Sequence, residues 1–170
     1  MKKVFIFLAI AGIAFSCKQQ QPAEEMVMEV IADPNMETFQ KNVETVKATM
    51  AAFCAKDFDK MSSYLTDDFI WSPPSVGQDS LPRAEYEKAM KGFMEAYNDI
   101  TLTEALYYAG LDEDQKPNGD VRVYGLWKSK HASSGKDSML KYYGVMFFNE
   151  EGKIVHTAEW YDTADLMKEF

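Results

Sequence analysis

Few side chains in this sequence fall into a pattern that could do chemistry. Histidine occurs twice, as His131 and His156, on different predicted strands and without a metal-ligand spacing. Asp112-Glu113-Asp114 lacks the further ligands of a calcium loop, so no metal is expected. The sequence holds no glycine-rich phosphate loop and no Gly-x-Ser-x-Gly elbow, and no cofactor is expected. Asp162 ends the last predicted strand. Set in an apolar pocket it would have a raised pKa and could move a proton; beside Thr163 it could equally cap a terminal turn. His156 lies on the same strand, as a proton carrier or as a hydrogen-bonded structural residue. His131, at a strand end beside a Ser/Gly loop, is expected to face solvent. Trp71, Tyr97, Trp127, Tyr143 and Trp160 could wall a site for a flat ligand, although buried aromatics also build cores.

The elements that must position these residues centre on Val121–Asp162. Three runs rich in Val, Tyr, Trp, Phe and Ile (VRVYGLWKSKH, MLKYYGVMFF, KIVHTAEWYD) read as strands. Asn149-Glu150-Glu151-Gly152 supplies a turn between the last two. With Phe147 opposite Ile154, alternation puts Ile154, His156, Ala158, Trp160 and Asp162 on one face. Val155, Thr157, Glu159 and Tyr161 fall on the other. Asp162 and His156 are then roughly 20 Å apart along the strand at ~3.3 Å per residue, too far for a direct hydrogen bond.

Earlier segments supply helices. Met36, Phe39, Val43, Val46, Met50 and Phe53 recur at spacings of three and four, predicting a helix from Pro34 to Lys56. Asp57-Phe58-Asp59 breaks it, and Asp59 could cap a short second helix. A strand around Asp67–Trp71 must stop at Pro73-Pro74. A helix with the stripe Tyr86, Met90, Phe93 and Tyr97 follows, then a strand over Ile100–Leu111. Lys116-Pro117-Asn118-Gly119 turns the chain back, and residues 163–170 could form a short terminal helix. Helices first and hairpin-linked strands after them are an α+β pattern.

The chain has 170 residues, 46% of them hydrophobic and 14% aromatic, enough for one domain with a core. Its formal net charge is −9, a poor match for phosphate backbones, so nucleic acid is set aside.

The N-terminus carries an address. Lys2 and Lys3 precede an apolar run from Val4 to Phe15, the layout of a secretory signal and too short to span a bilayer comfortably. Ala14-Phe15-Ser16-Cys17 resembles a bacterial lipoprotein lipobox, with Ala14 where the family usually has Leu. The resemblance implies cleavage after residue 16, lipidation of Cys17 and a domain outside the cytoplasm in the cell envelope. An ordinary cleaved signal peptide is the alternative. Residues 17–34, Gln-rich and acidic at KQQQPAEE, read as a flexible tether. Cys54 is then the last cysteine, with no intrachain partner, and reads as a small buried hydrophobe rather than a nucleophile.

Over residues 35–170 the layout resembles the nuclear transport factor 2-like superfamily and, within it, the SnoaL-like domains. The resemblance rests on Phe53-x3-Asp57-x7-Leu65-x-Asp67-Asp68-Phe69, Gly125-Leu126-Trp127, Phe147-Phe148-Asn149-x2-Gly152-Lys153-Ile154 and Glu159-Trp160-Tyr161-Asp162. It implies a curved antiparallel sheet wrapped around N-terminal helices, a cone with a pocket in its mouth. Asp162 and His156 match by position the acid and histidine that transfer protons in SnoaL-like cyclases, with Tyr143 as a candidate oxyanion donor. The fold itself hosts many chemistries and none. Three functions follow as expectations: a lipid-anchored module binding a small apolar or aromatic molecule, a proton-transfer enzyme, or a homodimeric assembly part.

Overall fold

The structure, a computed structural model, describes residues 34–167. The signal segment, Cys17 and the tether before Pro34 lie outside the described residues. Among the described residues no helix is long and apolar enough to cross a membrane.

The element order is α1 (Pro34–Cys54), α2 (Phe58–Ser62), β1 (Leu65–Ser72), β2 (Leu81–Pro82), α3 (Arg83–Ala96), β3 (Tyr97–Leu111), β4 (Pro117–His131), β5 (Asp137–Phe148), β6 (Ile154–Trp160) and α4 (Thr163–Met167). The six strands form one sheet in the order β2-β1-β6-β5-β4-β3. Neighbours are antiparallel except β1 and β6, which pair in parallel. The expected α+β architecture, helices against one face of a curved sheet, is what the chain adopts.

Bulges supply the curvature. The β3–β4 register slips between Asn98 and Thr101 and again between Thr103 and Leu106. Asp99 and Glu104 sit at those slips with φ of 53° and 55°. An extra residue in one strand bends it and increases its twist, so β3 curls its sheet around the helices. This strand begins at Tyr97, not Ile100, so α3 ends a residue before its expected last apolar position.

The apolar stripe of α1 packs as its spacing requires: Val43, Val46 and Met50 are buried, while Met36 in the first turn remains exposed. Lys56 ends the helix with φ 56°. Its N–H donates to Phe53 O, and that of Asp57 donates to Ala52 O, the paired bonds of a Schellman ending. The cap of α2 is Asp57 rather than Asp59, because the Asp57 carboxylate accepts from Lys60 N at 3.1 Å. Phe69, Met61, Ile154, Val46, Val121 and Val123 are fully buried. Each such side chain contributes roughly 1.5–3 kcal/mol of burial.

Candidate functional site

A half-open cavity of about 110 Å³ lies between α1, α3 and the concave face of the sheet. For scale, an engineered apolar cavity of ~150 Å³ takes up benzene. Val46, Met50, Met61, Met90, Leu140 and Ile154 make much of the wall apolar. Aromatic rings line the rest, among them Phe53, Tyr86, Trp127, Tyr142 and Tyr161.

One carboxyl group stands in this lining. Glu159 is buried and accepts two hydrogen bonds, from Trp71 Nε1 at 2.9 Å and from the Tyr142 hydroxyl at 3.0 Å. Burial pushes its pKa above the ordinary carboxylate value, and the two donors only partly oppose that. The surrounding phenols are held neutral. Burial and then the Glu159 charge raise the pKa of Tyr142, Tyr86 and Tyr161. Tyr142 reaches the carboxylate by folding over Gly144, the residue paired with Glu159 across the strands. A Cβ at Gly144 would lie 2.3 Å from the Tyr142 hydroxyl oxygen.

The register of the last hairpin decides which residues reach this cavity, and it corrects the sequence reading. Phe148 pairs with Ile154, but Phe147 pairs with His156, so Val155 is an extra residue in β6. The bulge flips the alternation after Ile154. Thr157, Glu159 and Tyr161 therefore line the cavity with Ile154, while His156, Ala158 and Trp160 occupy the convex face.

Of the residues expected to form the site, Tyr97 and Trp127 do line the cavity. Trp71 supports it from behind as a donor to Glu159. Tyr143 and Trp160 stand on the convex face, away from the lining. There they stack at 5.0 Å within a ladder running Tyr108, Tyr124, Tyr143, Trp160. His156 also lies on that face, its Nε2 2.9 Å from Ser72 Oγ and its ring stacked on Phe147 at 4.9 Å. Burial lowers its pKa. Asp162 is exposed and takes the capping role, accepting from Ala164 N at 2.9 Å. His131 is buried against Tyr97 with ring centroids 4.6 Å apart, not turned to solvent. Cys54 is half-buried with its thiol pKa raised by burial, the state of a packing residue. Among the described residues no cluster of His, Cys, Asp or Glu is arranged to hold a metal.

Sequence reasoning passed over Glu159, Tyr86, Tyr142 and Tyr161 as site residues. The available signal was a charged residue inside an apolar strand, flanked at both next-nearest positions by Thr157 and Tyr161.

No protein-family model and no curated protein matches this sequence, but solved structures do. A Bacillus subtilis protein provisionally described as an isomerase superposes with a TM-score of 0.64 at 16% identity, covering 77% of this chain and 93% of its own. A Xanthomonas campestris protein provisionally described as a polyketide cyclase gives 0.62 at 16%, covering 77% and 97%. The BvnE pinacolase of Penicillium brevicompactum gives 0.59 at 19%, covering 76% and 92%. These neighbours have the SnoaL-like form of the nuclear transport factor 2-like fold, and that is the fold of this chain. Their identity level speaks to the fold alone.

Proposed function

We propose that this domain binds a small, mainly apolar or aromatic molecule in the cavity and is held at a bacterial membrane by acyl chains on Cys17. The observation that supports binding is the cavity itself: mainly apolar and aromatic walls with a buried polar cluster around Glu159, the usual composition of a ligand site. A thermal-shift screen of compact apolar and aromatic compounds tests it. A ligand at 100 times its Kd stabilises by about 2.7 kcal/mol, a clear rise in melting temperature; a screen with no shift sinks the reading. For the anchor, Cys17→Ser should move the chain from the detergent phase to the aqueous phase of a Triton X-114 partition. Unchanged partitioning would refute lipidation.

A second reading is favoured by the burial of Glu159. A buried carboxyl with a raised pKa beside a pocket is suited to general acid–base work, so proton transfer would be carried by Glu159 rather than by Asp162 and His156. The assay is deuterium uptake from D2O into an enolisable cyclic ketone, followed by NMR. A rate no higher than buffer alone, or one unchanged in Glu159→Gln, removes this reading. We further propose a homodimer through the convex face, where Tyr108, Tyr124 and Trp160 are exposed. Light scattering on the full chain should give twice the chain mass, and Trp160→Glu should halve it; a monomer at micromolar concentration refutes the dimer.

A further inference from the structure

Resting on the ligand-binding reading above, we infer that the molecule this cavity takes is an organic ammonium ion with an apolar body. The cavity wall carries a carboxyl group and, among the described residues, no Lys, Arg or His to compensate it. Every group that faces Glu159 is a neutral donor or ring: Trp71 from β1, Tyr86 from α3, Tyr142 from β5 and Tyr161 just after β6. A buried ionised carboxylate without a cationic partner is costly, so an incoming cation gains what the protein leaves unmade.

The carboxylate has about four lone-pair positions, of which Trp71 and Tyr142 occupy two. The remainder are open to a ligand N–H, or to the field of a quaternary nitrogen. The rest of the wall suits the same class. The rings of Phe53, Tyr86, Trp127, Tyr142 and Tyr161 border the cavity, and aromatic rings attract ammonium groups most strongly where the pair is desolvated. A neutral hydrocarbon would use the rings but not the carboxylate. An anion would be repelled by it.

The test compares two probes of equal shape, choline and 3,3-dimethylbutan-1-ol, which differ by a cationic nitrogen in place of carbon. Isothermal titration on the full chain should give choline at least about tenfold tighter binding. That preference should fall as the pH drops and Glu159 takes up a proton, and Glu159→Gln, checked for an intact melting transition, should erase it. Equal affinities, or binding of the alcohol alone, overturn the ammonium inference while leaving the apolar-ligand reading standing. Binding of neither probe also overturns it, and the thermal-shift screen then decides the broader reading separately.

Discussion

Gly144→Ala tests the geometry at the centre of the site. Gly144 pairs with Glu159 on β6 and Val123 on β4, and an added methyl would meet Tyr142 at its hydroxyl oxygen (2.3 Å), Cζ (2.7 Å) and Cε1 (2.9 Å). The obstacle is a ring packed between β5 and the buried carboxylate, so it has little room to yield. Overpacking of this kind costs about 1–3 kcal/mol. Moving Tyr142 also breaks its bond to Glu159, and a hydrogen bond to a charged group contributes roughly 1.5–3 kcal/mol. Against this, Ala improves on Gly within a strand by about 0.5–1 kcal/mol. The net expectation is a loss of about 2–4 kcal/mol, or roughly 6–12 °C in Tm for a domain of this size. Urea unfolding gives the first number and calorimetry the second. Adding Tyr142→Phe removes the nearest clashing atom, so the double variant should be less destabilised than the sum of the singles by more than about 0.5 kcal/mol. A neutral or stabilising Gly144→Ala, or strict additivity, would show that Tyr142 does not fold over Gly144 to hold Glu159.

The remaining predictions concern titration and capping. Because the folded-state pKa of Glu159 is raised from 4.5, its contribution to stability is present below that value and is lost as pH rises through the folded pKa; urea midpoints of wild type and Glu159→Gln should converge in acid and separate above it, with the variant relatively more stable. His156 has the opposite sign. Its pKa is lowered from 6.5, so stability is lost as pH falls below 6.5, and a His156→Asn variant should lack that acid-side decline. Asp57→Ala should cost about 1 kcal/mol through loss of the α2 cap, whereas Asp59→Ala, at the position not used, should cost less than half as much by the same urea measurement. Asp162→Asn preserves a capping oxygen and should leave ligand affinity in the cavity unchanged by titration.

The architecture was legible because its signals are local. The stripe from Phe39 to Phe53 permits α1 one buried face, and the strand-forming runs on either side of Asn149–Gly152 permit a hairpin. The β3–β4 turn falls at residues 112–116 rather than at Lys116–Gly119, because the Asp112 carboxylate accepts from Asp114 N and Lys116 N and closes the turn before Pro117 opens β4. The site was legible only in part. Tyr97 and Trp127 belong to it, Trp127 from the strand its run predicts and Tyr97 from the first position of β3 rather than from the helical stripe that suggested it. Asp162, His156, Tyr143 and Trp160 were assigned to it through one assumed register.

What the chain's own order of residues determined, then, is the set of elements and their amphipathic faces, since periodicity is written into neighbouring positions. Which side of β6 looks into the cavity was decided by the bulge at Val155, which depends on how β5 and β6 pair across space. One extra residue there turns Glu159 inward and Trp160 outward. The raised pKa of Glu159, its two donors from β1 and β5, and a wall without a cation among the described residues exist only once residues 88 and 17 positions from Glu159 in sequence are brought beside it.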